Sequence, residues 1–135
     1  MYQNKRQSNG TIEFPAGKGQ AVFRGTIAAS LYQRVKVTPG KEYFATAKGI
    51  LKPSSSSPGA RFKIETEFRN AKGELTGFNQ RRSKVFRPAG PDGELKGALL
   101  FDVPDDAVTL ILHLKAENLE KDAAGIIYAP AVYER

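Results

Sequence analysis

A short run of basic side chains is the part of this sequence best suited to binding a charged partner. Arg81, Arg82, Lys84 and Arg87 fall within a stretch that holds no acidic side chain. Guanidinium groups form charge-assisted, often bidentate hydrogen bonds to carboxylate and sulfate groups, and an amide such as that of Gln80 pairs with hydroxyls. Like charges on one strand repel one another, which a purely structural face tends to avoid. The cluster therefore favours recognition of an anionic, hydroxyl-rich ligand.

The distribution of charge over the chain also favours an anionic partner. The 135 residues include 21 Lys and Arg against 14 Asp and Glu, a formal net charge of +7. Residues 1–101 hold 18 basic and 7 acidic groups, whereas residues 102–135 hold 3 basic and 7 acidic groups. A positive field localised in this way attracts nucleic acid, acidic polysaccharide or an anionic lipid surface. The alternative interpretation is charge that serves solubility alone.

The residue types present argue against catalysis and against a membrane partner. The sequence has no cysteine, which excludes disulfides and zinc–thiolate sites, and its one histidine, His113, argues against a His-dependent triad. Glu65 and Glu67 are two residues apart between Lys63 and Arg69, which indicates a salt-bridged strand rather than a glycosidase pair facing across a cleft. No apolar run approaches the roughly 18 residues of a transmembrane helix. The charged N-terminus is not followed by the apolar region of a signal peptide.

The elements that must position these side chains are predicted to be strands, because hydrophobic residues alternate with polar ones along most of the chain. In residues 61–69, Phe62, Ile64, Thr66 and Phe68 share one face, and in residues 108–115 the valine and leucines do the same. The predicted strands are 11–14, 20–24, 31–37, 42–50, 61–69, 77–87, 97–103, 108–115 and 125–134. About nine short strands with turns between them predict an all-β protein, an antiparallel β-sandwich or barrel formed by residues 1–135 as a single module.

Five segments of the sequence, in order, resemble the jelly-roll carbohydrate-binding modules that accompany bacterial polysaccharide-degrading enzymes. Residues 31–43, LYQRVKVTPGKEY, are similar to the family pattern l-x-Q-x-v-x-v-x-P-G-k-x-Y. The other four segments, each given with the family pattern that it resembles, are residues 9–13 (N-G-x-F-E), 64–73 (a strand ending in f-x-d-x-x-G), 101–107 (f-x-v-P-a-d-a) and 125–128 (G-x-v-y). The resemblance spans residues 9–134 and implies a jelly-roll sandwich that binds carbohydrate without catalysis.

The sequence departs from that family at two positions that bear on ligands. The family's structural calcium is held partly by an opening Glu, matched here by Glu13, and by an Asp of the last strand. Here Tyr128 is followed by Ala129-Pro130-Ala131, so an acidic ligand is missing and we expect no required cofactor, with calcium at Glu13 as the alternative. Tryptophan, the usual sugar-stacking residue, is also absent. A stacking platform would then be Tyr32, Phe44 or Tyr128.

The resemblance further implies that strands 42–50, 61–69 and 108–115 share a sheet. Their outward side chains would then form one basic surface bearing Lys48, Lys63, Arg69, His113 and Lys115, with the strand 77–87 beside it. A solvated face of cross-strand ion pairs is the alternative for each single residue.

These observations predict a secreted, non-catalytic module that binds an acidic polysaccharide, such as alginate or another uronate-rich or sulfated glycan. It would lie outside the cytoplasm or in the periplasm, as part of a larger exported protein, beside a catalytic domain such as a polysaccharide lyase or glycoside hydrolase. A structural β-sandwich of a secreted enzyme, adhesin or phage tail is the alternative. A nucleic-acid binder is disfavoured because only Phe78 and Phe86 accompany the basic cluster, and base stacking needs interleaved aromatic side chains.

Overall fold

The computed structural model describes residues 3–7, 11–13, 20–24, 28–52, 59–86, 94–119 and 124–135. These residues form eleven strands and one short 3-10 helix. The strands are β1 (Gln3–Gln7), β2 (Thr11–Glu13), β3 (Gln20–Arg24), β4 (Ala28–Lys36), β5 (Glu42–Lys52), β6 (Arg61–Asn70), β7 (Leu75–Thr76), β8 (Ser83–Phe86), β9 (Glu94–Asp102), β10 (Ala107–Glu117) and β11 (Ala124–Glu134). The 3-10 helix is Phe78–Gln80.

The strands form two antiparallel sheets. The front sheet has the order β1-β4-β10-β6-β7, with β8 also paired to β6, and the back sheet has the order β2-β3-β11-β5-β9. The strands β3-β11-β5-β9 and β4-β10-β6-β8 reproduce the two four-stranded sheets of a jelly roll. The predicted all-β sandwich is therefore confirmed, with eleven strands in the described residues where about nine were expected. The strand β1 was not predicted, because its residues QNKRQ are all polar.

The core lies between the two sheets and contains alternating apolar residues of the longer strands. Phe62, Ile64 and Phe68 of β6 are buried, as are Leu110, Leu112 and Leu114 of β10. Aromatic rings connect the sheets: Phe68 lies 5.9 Å from Phe101 of β9, and Phe62 lies 6.1 Å from Phe23 of β3, measured between ring centroids. Each such side chain contributes roughly 1.5–3 kcal/mol by its removal from water.

The strand β10 departs from simple alternation at both of its faces. Val108, which was predicted to be buried, is 36% exposed because the register with β6 shifts between Ala107 and Thr109. Ile111 and His113 were predicted to face solvent, but both are buried. The reason is that β10 lies between β4 and β6, whose longer side chains cover the middle of the sheet.

The predicted strand 77–87 is wrong as a single element. Gly77 has φ +65°, in the left-handed region, and a Cβ there would overlap the ring of Pro104. The chain therefore turns at Gly77, forms the 3-10 helix and becomes a strand again only at Ser83. Arg81 and Arg82 lie in the extended connection before β8, which places them at the edge of the front sheet rather than inside it. In the part of the chain described, no helix is long and apolar enough to cross a membrane.

Candidate functional site

The outward side of the front sheet is the candidate functional site, and we call it the front face. Tyr32, His113, Glu65 and Ser83 lie directly opposite one another on β4, β10, β6 and β8, so they form one cross-strand row. Since neighbouring strands are about 4.8 Å apart, this row is roughly 14 Å long. The adjacent rows add Ser30, Arg34, Lys36, Lys63, Glu67, Arg69, Thr109, Ile111 and Lys115.

Glu67 is the most enclosed carboxylate of the front face. Its Oε2 accepts hydrogen bonds from Arg69, at 3.0 Å from Nε and 2.9 Å from Nη2, and its Oε1 lies 3.3 Å from Nε2 of His113. Burial by itself raises the pKa of Glu67, but the hydrogen bonds and positive charges of Arg69 and His113 outweigh that effect, so its pKa lies below the ordinary value. Glu67 is therefore an ionised carboxylate that holds two basic side chains in place.

Glu65 lies one row away and is held in the same manner by two lysines. Its Oε1 is 2.8 Å from Nζ of Lys63, and its Oε2 is 2.7 Å from Nζ of Lys115. Burial opposes ionisation of Glu65, but hydrogen bonds from Lys115 and Lys63 lower its pKa from 4.5 to about 2. The carboxylate charges at the centre of the front face are thus compensated within the sheet itself.

An aromatic side chain borders these ion pairs on β4. The ring of Tyr32 is partly exposed, its centroid is 6.4 Å from that of His113, and the guanidinium carbon of Arg34 is 5.7 Å from the same ring. A cation close to the ring face is attracted by the ring quadrupole. Tyr32 therefore offers a flat apolar surface beside hydrogen-bonding groups, which is an arrangement that suits a sugar ring.

An open pocket of about 210 Å³ lies at the β8 end of the row, lined by Glu65, Thr66, Arg81, Arg82 and Ser83. The buried Thr66 anchors the basic segment to β6. Its backbone N donates to Arg82 O at 2.9 Å, and its Oγ1 accepts from Arg82 N at 2.8 Å. The pocket is therefore lined by two arginines, Glu65 and Ser83 at a sheet edge, while the Thr66 hydroxyl is bound to the backbone of Arg82.

The front face brings together four of the side chains predicted to bind ligand: Tyr32, Lys63, Arg69 and His113. Arg81 and Arg82 border it, and Gln80 ends the 3-10 helix just before them. Arg87 and the side chain of Glu13 lie outside the described residues. Their roles in binding stay predictions. Among the described residues no group of three or more Asp, Glu or His side chains is placed to hold a metal ion.

The prediction that Lys48 shares a sheet with Lys63 is wrong. The strand 42–52 that carries Lys48 belongs to the back sheet, where Lys48 lies between Tyr128 and Lys96 on the outward side. The strand β5 pairs with β9 and β11 in the back sheet, whereas β6 pairs with β8 and β10 in the front sheet, so the core separates β5 from β6. Tyr128 and Phe44 are therefore also remote from Tyr32.

Lys84 is likewise not part of the front face. It is paired with Ile64, so it points to the core side of β8 at the sheet edge. Its Nζ reaches the carbonyl oxygen of Ala98 on β9 at 3.4 Å and lies 5.7 Å from the ring centroid of Phe86. Lys84 thus closes the edge of the sandwich between the front and back sheets.

Sequence reasoning missed two contributors to the site, Arg34 and Ser83. Arg34 alternates with Leu31, Gln33 and Val35, so the strand periodicity contained the signal for its outward position. Glu65 and Glu67 were correctly interpreted as salt-bridged, but their central position depends on which strands are neighbours. Ser83 joins the row only through the pairing of β8 with β6.

The outward side of the back sheet has a different character, and we call it the back face. Phe44 and Tyr133 stack with ring centroids 5.1 Å apart, and Tyr133 is 51% exposed. Leu100, paired with Phe44 on β9, is 49% exposed. These three residues form an apolar cluster, whereas Lys48 and Lys96 lie farther along the same face.

Solved structures with a similar fold are mostly carbohydrate-binding modules. The enzymatically active domain of bacteriophage CBA120 tailspike protein 4 matches 99% of this chain with a TM-score of 0.68 and 12% identity, and the chain spans 19% of that protein. A family 16 carbohydrate-binding module matches 85% of this chain over 76% of its own length, with a TM-score of 0.59 and 16% sequence identity. The CBM22-1 xylan-binding domain of Paenibacillus barcinonensis Xyn10C matches 98% of this chain over 85% of its own length. Its TM-score is 0.60 and its sequence identity is 13%.

No protein-family model matches the sequence, and a search of curated proteins gives no match. At 12–16% identity these likenesses concern the fold. The resemblance seen in the sequence motifs is therefore confirmed at that level: this chain has the jelly-roll β-sandwich fold of carbohydrate-binding modules.

Proposed function

We propose that this protein is a non-catalytic carbohydrate-binding module whose ligand lies on the front face. The fold supports this, since the similar structures include a xylan-binding domain and a family 61 module in complex with β-1,4-galactotriose. The composition of the face supports it as well. A partly exposed tyrosine ring, the partly buried carboxylate of Glu65 and several guanidinium groups provide one stacking surface and several hydrogen-bonding groups for sugar hydroxyls.

We further propose that the glycan is acidic, and one observation carries this step. Lys63, Lys115 and Arg69 are already paired with Glu65 and Glu67. In contrast, Arg34, Arg81 and Arg82 form no ion pair with any other described residue. These three guanidinium groups leave an uncompensated positive charge around the face, which attracts carboxylate or sulfate groups.

The module is proposed to act as part of a larger exported protein, outside the cytoplasm, where it keeps a polysaccharide-degrading domain close to its substrate. Two similar structures are parts of larger proteins. One is the CBM22-1–GH10 pair of Clostridium thermocellum Xyn10B, of which this chain spans 26%, and another is the phage tailspike domain described above.

Affinity electrophoresis tests the proposal. The panel contains alginate, polygalacturonate, carrageenan, hyaluronan, xylan and cellulose, with single-stranded DNA on the same gel. We expect retardation by one or more acidic glycans that weakens steeply with salt, because the Debye length falls from about 10 Å at 0.1 M to about 3 Å at 1 M. Salt-insensitive binding to xylan or cellulose alone would contradict an acidic ligand and point to stacking on Tyr32.

A matched pair of double variants separates position from net charge. R81A/R82A removes two exposed charges beside the front face, and K48A/K96A removes two exposed charges from the back face. We expect the first to lower the affinity about tenfold or more and the second to change it less than about twofold, since charge-assisted hydrogen bonds contribute about 1.5–3 kcal/mol each. Equal losses would indicate a diffuse field effect and no site at the front face.

A structural β-sandwich that packs against a neighbouring domain is the second candidate function. The observation in its favour is an apolar cluster on the back face, where the partly exposed Phe44 lies beside the exposed Leu100 and Tyr133. Failure of every glycan in the panel to retard the protein would favour this function over carbohydrate binding, whereas retardation by DNA alone would favour a nucleic-acid binder.

A further inference from the structure

The pocket between β6 and the segment Arg81–Ser83 has two chemically different walls. Arg81 and Arg82 line one wall, and Glu65, Ser83 and Thr66 line the other. The Thr66 hydroxyl is already hydrogen-bonded to the backbone of Arg82, so Glu65 and Ser83 are the residues left to pair with a ligand hydroxyl. The first wall consists of donors with a positive charge, and the second offers acceptors for a hydroxyl group. A ligand that fills the pocket therefore needs an anionic group and a hydroxyl group close together.

The guanidinium of Arg82 is held in position before any ligand arrives. Its Nη1 donates to the carbonyl oxygens of Asn79, at 3.1 Å, and of Arg81, at 3.0 Å. Its backbone is fixed by the hydrogen bonds to Thr66. Because one nitrogen is used in these contacts, the donors on Nε and Nη2 remain for a planar bidentate contact with a carboxylate. Such preorganisation reduces the entropy lost on binding.

The charge of Glu65 does not prevent an anion from entering the pocket. Lys63 and Lys115 hold its two oxygens at 2.8 and 2.7 Å, so its charge is largely neutralised inside the sheet. Carboxylate oxygens have further lone pairs, and those of Glu65 accept a sugar hydroxyl more readily than a second carboxylate. Glu65 thus orients the ligand so that its anionic group faces the arginines.

The size of the pocket limits how much of a ligand enters it. Its volume of about 210 Å³ is below the 300–1,000 Å³ typical of pockets that enclose a drug-sized molecule. The remaining part of a longer ligand must lie outside, and the row Ser83–Glu65–His113–Tyr32 leads from the pocket across the front face.

We propose that this pocket binds a single uronate residue of the polysaccharide, with the carboxylate on Arg81 and Arg82 and a neighbouring hydroxyl on Glu65 and Ser83. The inference rests on the proposed function and specifies it. The glycan then runs across the strands from this uronate toward Tyr32. The pocket recognises the carboxylate of the uronate, and the row Ser83–Glu65–His113–Tyr32 contacts the sugar residues that follow it.

The test compares each acidic polysaccharide with its own ester. Binding of the purified protein to polygalacturonate and alginate is measured beside fully methyl-esterified pectin and propylene glycol alginate, which keep the backbone but mask the carboxylate. We expect at least one acid to bind about tenfold or more tighter than its ester, as the loss of a bidentate charged contact requires. Equal affinity for acid and ester in both pairs would overturn the uronate pocket and leave carbohydrate binding intact. Binding to none of these polysaccharides, nor to xylan or carrageenan, would overturn the proposed function itself.

A conservative variant and its control test whether Arg82 binds the carboxylate of the uronate. R82K keeps the charge and loses the planar fork, while the backbone bonds to Thr66 remain, so the fold is expected to be retained and is checked by thermal unfolding. It should lower the affinity for the acid more than the affinity for the ester, and so reduce the preference for the acid. K48R, on the back face, is the control and should leave both affinities unchanged. An R82K protein that keeps the full preference, or a wild type that prefers sulfated carrageenan to both uronic acids, would contradict the assignment.

Discussion

Glu67 and His113 lie side by side, both buried, on the outward side of the front sheet, with Glu67 Oε1 3.3 Å from His113 Nε2. Arg69 binds the other oxygen of the same carboxylate. A buried polar group stabilises a protein only when its hydrogen bonds are satisfied. Glu67 therefore connects β6 to β10 at the centre of the candidate binding face.

Replacing this carboxylate is predicted to destabilise the fold. Glu67→Gln should lower the free energy of unfolding by about 1.5–3 kcal/mol, because hydrogen bonds to a charged group are lost and Arg69 is left without its counter-ion. Urea denaturation of the wild type and the variant measures this loss, provided that the two proteins have the same m-value. The control is Glu117→Gln, which breaks a more exposed ion pair with Arg61 and should cost less than about 1 kcal/mol. Equal losses at the two positions would contradict a central role for Glu67.

Acidification is predicted to destabilise the protein in a defined pH range. The pKa of Glu65 is lowered to about 2, and that of Glu67 is lowered as well, from an ordinary value of 4.5. A carboxyl group with a lower pKa in the folded chain stabilises the fold above its unfolded pKa, and this contribution is lost as the pH falls through the folded pKa. The difference in unfolding free energy between the wild type and Glu65→Gln should therefore be constant above about pH 5 and shrink toward zero near pH 2. A difference that does not change with pH would show that Glu65 acts by packing alone.

Two positions on β10 test the register of that strand. Leu112→Ala should lower the free energy of unfolding by about 2–5 kcal/mol, because the side chain is fully buried between the sheets. Val108→Ala, at the register shift, should cost less than about 1 kcal/mol, since Val108 is partly exposed. Chemical denaturation of both variants gives the comparison. Similar costs at both positions would mean that Val108 packs in the core.

The contact between β8 and β9 should tolerate no added atoms at Gly97. A Cβ there would overlap the ring of Phe86, so Gly97→Ala is predicted to cost about 1–3 kcal/mol through overpacking. Adding Phe86→Leu should recover part of the loss, because the smaller side chain vacates that space. The double-mutant cycle is measured by thermal unfolding. Strictly additive effects would contradict direct contact between the two residues.

Chelation is predicted to leave the melting temperature nearly unchanged. Ala129-Pro130-Ala131 stands where an acidic calcium ligand is expected, and calcium prefers six to eight oxygen ligands. Differential scanning fluorimetry with EDTA, and then with added calcium, checks this. A fall of many degrees in EDTA that calcium reverses would show that Glu13 and other oxygens form a metal site.

Most of the strands, most of the core and the fold class were readable from the sequence. Alternation in residues 61–69 places Phe62, Ile64 and Phe68 on one face, because successive side chains of any strand point to opposite sides. Pro39 and Gly40 likewise mark a turn by their own backbone preferences. These are local properties, so they survive in the tertiary structure, and the order of the motifs was enough to indicate a jelly roll.

The composition of the binding face was decided only by the tertiary structure. Nothing local to residues 42–50 reveals that Lys48 lies on the other sheet from Lys63, because strand pairing joins residues far apart in the chain. The same reason explains His113, which alternates as an outward residue but is covered by side chains of β4 and β6. Gly77 turns the chain against Pro104, 27 positions away in the sequence, and so carries Arg81 and Arg82 to the sheet edge. Periodicity determined which way each side chain points, and long-range packing determined which side chains meet.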